Sequence, residues 1–319
     1  MKRLLIPVLG ALLAAQLLVT AVVYRPGTDD DTGAALPLLE SGVAARADSL
    51  RVSDGDGANA RIARSDDGWT LAGSGLPVAP GRVATLLAAL EADPGWPVAQ
   101  SRSARTRFAV AEDAFERRLE LLAGDDVLAT VFLGTAPGFR QVHARAAGSD
   151  AIYSIDFNAY DAPADDSGWL DRGLAAIPGP TAVRWDGHDL ARGDDGWRVD
   201  GEAVEDGPAD DLVRALEGLQ VTAVADAPAD TSTARTLRVD SGEQAVELTL
   251  IAGDELHWLK SSAWSPWFTI SRYDHDRIAD SLEALLASEA AGEEKSDEDS
   301  GGETAETEPA TASDAPPSP

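Results

Sequence analysis

The sequence contains no cysteine, which excludes disulfides, thiolate metal sites and cysteine nucleophiles. Lysine is nearly missing too: Lys260 is the one lysine between residues 60 and 286. Basic side chains number 26 against 55 acidic ones, for a formal charge of -29 over 319 residues. A surface this negative repels phosphate backbones and anionic headgroups. Nucleic acid is therefore excluded as a partner, and lipid is a poor one for the folded part. The charge reads as general solvation, with a cationic ligand as the sharper alternative.

The recognisable catalytic patterns are missing as well. No G-x-x-x-x-G-K-[ST] occurs, no G-x-G-x-x-G sits between a strand and a helix, and Gly73-Ser74-Gly75 is too short to cradle a phosphate. There is no G-x-S-x-G nucleophile elbow. Acidic pairs are too abundant to indicate glycosidase chemistry. The four histidines, His143, His188, His257 and His275, have no helical ligand spacing, so no metal site is expected. Asp54-Gly55-Asp56-Gly57-Ala58-Asn59 looks like a calcium loop only superficially, because Asn59 and Ser65 stand where the loop needs its glycine and its distant glutamate. No catalytic residue, cofactor or metal is expected, and the chain reads as a non-enzyme.

What is present begins at the N-terminus. Lys2 and Arg3 precede an uncharged stretch from Leu4 to Tyr24. As a helix rising about 1.5 Å per residue it spans about 30 Å, the thickness of a bilayer core. Residues 1–24 are expected to be an uncleaved single-pass anchor. The basic pair stays in the cytoplasm, and the bulk of the chain stands outside the inner membrane, in the periplasm. Cleavage after Val19-Thr20-Ala21 is the competing reading, and it also exports the remainder. Residues 25–59 read as a linker and lead-in. Residues 288–319 carry no large apolar side chain and read as a disordered acidic tail.

Between these ends the sequence repeats. Ala63-Arg64-Ser65-Asp66-Asp67-Gly68-Trp69 returns as Ala191-Arg192-Gly193-Asp194-Asp195-Gly196-Trp197. A helical pattern follows each copy: Val83, Leu86, Leu87 and Leu90 after Pro80, then Leu212, Val213, Leu216 and Leu219 after Pro208. Leu119-Glu120-Leu121-Leu122-Ala123-Gly124-Asp125 pairs with Leu248-Thr249-Leu250-Ile251-Ala252-Gly253-Asp254, and Ile152-Tyr153-Ser154-Ile155 with Trp267-Phe268-Thr269-Ile270. The Asp67-Gly68 and Asp195-Gly196 pairs suit tight turns. A last helix, with Asp274 as its N-cap, places Ile278, Leu282, Leu285 and Leu286 on one face. The expected fold is α+β: a transmembrane helix, then two tandem, internally repeated antiparallel units at residues 60–174 and 182–286, joined near Ile177-Pro178-Gly179-Pro180.

One local concentration of aromatics stands out: Trp258, Trp264, Trp267 and Phe268. These either fill the core of the second unit or form a surface for a carbohydrate, a peptide or a partner protein. Period-two spacing puts Trp258 and Lys260 on one face, and Lys260 reads as an exposed strand-end lysine.

The run Gly124-Asp125, Phe132-Leu133-Gly134, Gly138-Phe139-Arg140, His143-Ala144-Arg145, Ile152-Tyr153 and Trp169-Leu170-Asp171, with Asp67-Gly68-Trp69 before it, resembles the bacterial family of unknown function numbered 4340. The resemblance covers about residues 60–286 and is stronger in the first unit, since the second lacks the Leu-Gly and His-Ala-Arg elements. It implies an N-terminal membrane helix with repeated α+β units outside. It also implies an auxiliary, non-enzymatic role beside an ABC-type permease, of the kind first associated with gliding motility. No catalytic or ligand residues follow from it. A carbohydrate- or peptide-binding envelope module using the exposed aromatics is the alternative.

Overall fold

The computed structural model describes Gln16, residues 37–242 and residues 244–299, with side chains as far as residue 287. Apart from Gln16, the expected anchor and the residues after it up to 36 lie outside the described residues, as does the tail from residue 300. No helix among the described residues is long and apolar enough to cross a membrane.

The class is mixed α+β, with strands predominating. Helix α1 (Val43–Arg46) leads into β1 (Ser49–Ser53), β2 (Asn59–Ser65) and β3 (Gly68–Leu71), followed by α2 (Arg82–Glu91). Next come β4 (Ala99–Gln100), α3 (Arg102–Arg107), β5 (Arg117–Ala123), β6 (Asp126–Leu133), β7 (Val142–Ala146), β8 (Ala151–Ile155) and a 3-10 turn at Ala159–Asp161. The chain continues through β9 (Ala182–Trp185), β10 (His188–Gly193), β11 (Gly196–Val199), β12 (Glu202–Ala203), α4 (Asp206–Glu217) and β13 (Val221–Ala225). It closes with β14 (Arg235–Ser241), β15 (Gln244–Ala252), β16 (His257–Ser261), β17 (Trp267–Ile270) and α5 (Arg272–Asp299).

Two compact units emerge. One comprises residues 37–48, 54–56 and 84–161; the other comprises 49–53, 57–83 and 162–299. Within the first, strands run β5-β6-β7-β8-β4, with antiparallel neighbours throughout. Its packing is visible around Ala104, Val110, Phe132 and Ile152, which bury against Ala99, Phe108 and Phe115. The second holds the meander β3-β2-β1 and a nine-stranded antiparallel sheet in the order β12-β11-β10-β9-β14-β15-β16-β17-β13.

The same strand order therefore occurs twice. The meander β3-β2-β1 corresponds to β11-β10-β9, and the run β5-β6-β7-β8-β4 corresponds to β14-β15-β16-β17-β13, with α2 and α4 at matching places. This changes one pairing read from the sequence. The strand in the place of Leu119–Ala123 is β14, not the segment beginning at Leu248. Gly124 (φ 59°) and Gly242 (φ 60°) turn the two equivalent hairpins in the left-handed region, where glycine carries no Cβ penalty. An apolar strand running into a Gly-Asp turn recurs wherever a half-buried hairpin closes, so that likeness lay one strand out of step.

Other details also differ from expectation. The two-residue hairpin loops are Asp66-Asp67 and Asp194-Asp195, because Ser65 pairs with Gly68 and Gly193 with Gly196. The stretch expected as lead-in contains β1, with Leu50 and Val52 buried on alternate positions. At α5 the cap is Ser271, whose hydroxyl accepts from the Asp274 N–H at 3.0 Å and donates to the Asp274 carboxylate at 2.7 Å. Asp274 is its third-residue partner, and together they form a variant of the capping box. Helix α5 then continues to Asp299, into the segment expected to be disordered. Its packed start, with Ile278, Leu282 and Leu285 buried, supplies the nucleus that an isolated Ala- and Glu-rich stretch lacks.

Candidate functional site

The four aromatics singled out in the sequence do not form one surface. Leu259 faces Phe268 across β16 and β17, and both are fully buried, so Phe268 belongs to the core and is unavailable to a ligand. The register puts Trp258, Lys260 and Trp267 on the opposite face, half-buried, with Lys260 directly across from Trp267. Trp264 lies in the loop between the strands and donates its indole N–H to the Leu174 carbonyl at 2.9 Å. Lys260 is not at a free strand end. Its ammonium donates to the carbonyls of Trp264 (2.8 Å), Ser265 and Pro266, clamping that loop.

The residues that carried the family resemblance are also structural. Arg145 on β7 is completely buried. Its guanidinium donates to the carbonyls of Val110 (2.6 Å), Ala146 (3.3 Å) and Ser149 (3.0 Å) and to the Glu112 carboxylate (2.9 Å), and lies 4.8 Å from the Phe132 ring centre. Glu112 also meets Arg105, which reaches Asp150 at 2.5 Å. The Glu112 carboxyl is held below the ordinary range, first by a backbone N–H and then, against desolvation, by Arg145 and Arg105. A buried cation is tolerated only when its donors are satisfied this fully.

His143 sits two residues before Arg145. Its Nδ1 lies 2.8 Å from the Thr135 carbonyl, so that nitrogen carries the proton, and its ring centre lies 4.3 Å from that of Phe108, with the planes tilted by 45°. A Cβ on Gly134 would collide with the carbonyl oxygens of Phe108 and Ala109. Gly134, His143 and Arg145 thus grip one segment, residues 108–112.

The second half keeps a version of this device. Val142 pairs with Ile155 on β7 and β8 as His257 pairs with Ile270 on β16 and β17, so Lys260 occupies the register position of Arg145. Both cations bind main-chain carbonyls of the loop that follows them. The second unit lacks the His-Ala-Arg letters yet retains the clamp.

Two features went unnoticed in the sequence. Trp96, Phe139 and Tyr160 are 83 %, 93 % and 83 % exposed, and all belong to the first unit. Trp96 lies just ahead of β4, where the Val98 N–H donates to Ile152 of β8 at 2.7 Å. Phe139 tips the turn entering β7, where Val142 pairs with Ile155 and the Gln141 amide reaches Asp156 at 3.4 Å. Tyr160 lies in the 3-10 turn shortly after Asp156. All three exposed aromatics thus stand on loops next to β8 or next to strands paired with it. Each is a lone aromatic in its own loop, so only the strand pairing connects them.

The other feature is a pair of histidines. His257, at the start of β16, pairs with Ile270, after which the chain turns through Ser271 into α5. This brings His275 back over His257, with ring centres 4.8 Å apart, and Asp276 beside it, its carboxylate 3.1 Å from His275 Nδ1. His188 lies elsewhere, on β10, paired with Asp200 at 2.8 Å.

Residues 69–241 match the family described as Domain of unknown function (DUF4340). No curated protein and no solved structure matches the chain.

Replacing Arg145 by alanine is expected to lower unfolding free energy by about 3 kcal/mol, because it strands several buried carbonyls. Arg145→Lys should recover part of the loss, as Lys260 does in the second half. Urea denaturation measures both. Desolvation, the leading cause, depresses the imidazoles of His143 and His257 below their ordinary value. On acidification the unfolded chain therefore takes up these protons first. Their stabilisation is complete above about pH 6.5 and is lost as pH falls through that value toward the folded pKa. The urea midpoint should decline from about pH 7 downward, and His143→Gln should make that decline shallower.

Proposed function

Because the chain belongs to the DUF4340 family, which it matches over more than half its length, we propose that it is a non-enzymatic, membrane-anchored accessory protein of an ABC-type transport or envelope complex. In this reading the Leu4–Tyr24 stretch spans the inner membrane with its N-terminus in the cytoplasm. Two tandem antiparallel α+β units, descended from one duplicated segment, stand on the periplasmic side. The twice-used strand order supports the duplication, and the uncharged run behind Lys2 and Arg3 supports the anchor.

The observation that carries the reading is the exposed trio Trp96, Phe139 and Tyr160. Large aromatics left in water on loops are the side chains that dominate binding energy when a partner covers them. The occupant is the extracytoplasmic face of a permease subunit held in the same membrane. Anchoring keeps the two at high effective concentration, so a modest apolar contact suffices. The scaffold residues Gly134, His143 and Arg145 support this division of labour: they hold the segment between β4 and β5, while the aromatics stand exposed on loops.

Mild cross-linking followed by detergent purification is expected to recover the chain with a permease subunit. The combined variant Trp96→Ala, Phe139→Ala and Tyr160→Ala should fold with an unchanged circular dichroism spectrum and lose that partner. Retention of the partner by the variant, or recovery of the wild-type chain alone, contradicts the proposal.

A further inference from the structure

We propose that His257, His275 and Asp276 form a binding site for one divalent transition-metal ion of the zinc type. Their potential ligand atoms all lie within 4.8 Å of one another. The donors come from two separate elements, the start of β16 and the first turn of α5, which the His257–Ile270 pairing and the Ser271 cap fix relative to each other. His257 is only 6 % exposed, so its ring is already withdrawn from water.

The donor chemistry selects the ion. Two imidazoles and one carboxylate suit zinc and its borderline neighbours, whereas calcium and magnesium demand cages of oxygen. Zinc–nitrogen bonds of about 2.0–2.1 Å require donors about 3.4 Å apart in a tetrahedral site, within reach of small side-chain rotations. Burial, and after it the nearby His275, push the His257 imidazole below its ordinary value, with Asp276 opposing and Arg272 adding to the effect. This is the direction that favours the neutral form a metal binds. The two imidazoles lie 4.8 Å apart at an interplanar angle of 54°, with the Asp276 carboxylate beside them. A dication between them would satisfy both lone pairs at once.

Three protein donors leave a fourth position for water or a small ligand. Room is at hand, since His275 also lines a cavity of about 230 Å³ with Thr233, Arg235, Ala252 and Ile278. The site lies wholly in the second unit and is independent of the aromatic trio, so either proposal can fail without the other.

The test uses the full-length chain in detergent, stripped with a chelator and titrated with zinc chloride against a chromophoric competitor. Excess magnesium is present throughout to occupy the many surface carboxylates. The expected result is one zinc per chain and a raised melting temperature. His275→Ala and Asp276→Asn should each weaken binding about tenfold or more, and His188→Gln should not. Asp276 is half-exposed, so Asp276→Asn is expected to leave the metal-free melting temperature unchanged, and it decides the matter if His275→Ala proves unstable. Absence of tight zinc binding, displacement by magnesium, or equal affinity in Asp276→Asn overturns the proposal.

Discussion

In an antiparallel sheet a one-residue slip exchanges every buried side chain for its outward neighbour, and this constraint governs what each residue here is free to do. The pairing of Leu259 with Phe268 commits both to the core. It also turns Trp258, Lys260 and Trp267 the other way. The same register, carried to the end of β16, sets His257 opposite Ile270 and so beneath the start of α5. In the first half, the pairing of Val142 with Ile155 draws the Phe139 turn toward the chain leading to Tyr160. The residues proposed to bind are thus placed by hydrogen-bond register before any side-chain chemistry enters.

Of the residues that carried the family resemblance, Gly134, His143 and Arg145 are buried in the fold, apart from the exposed aromatics on its loops. Arg145, His143 and Gly134 spend their interactions on main-chain carbonyls and on a close backbone approach, which makes them conditions of folding. Lys260 performs the Arg145 task in the second half with a point charge in place of a planar fork. Such clamps fit a strand order that occurs twice with different letters: each loop has a cation on its carbonyls, Arg145 in one half and Lys260 in the other. What remains for recognition lies on loop tips, where aromatics are exposed, and at the junction of β16 with α5.

Much of this architecture was legible in the sequence, because local chemistry wrote it. The Asp-Asp-Gly-Trp repeat marks two hairpins, and Val83, Leu86, Leu87 and Leu90 mark a helix whose buried face they form. The mispaired Leu248 segment shows the limit of such reasoning, since turn chemistry is generic and the order of strands is not. Phe268 read as equally available with its neighbours because alternation between two faces is ambiguous until a partner strand is known. The histidine pair and the aromatic trio were invisible for another reason. The histidines meet only through tertiary pairing, and the exposure of each lone aromatic is set by packing that no window along the chain contains.

The most direct test of the central claim, that the loop aromatics are a docking surface for a membrane partner, is site-specific photocrosslinking. A photoreactive phenylalanine analogue placed at Phe139 and illuminated in intact cells should form one major adduct with an integral membrane permease subunit, while the same analogue at Asp67, on an exposed hairpin turn, should not. Adducts absent at Phe139, or equal at both positions, would contradict the account.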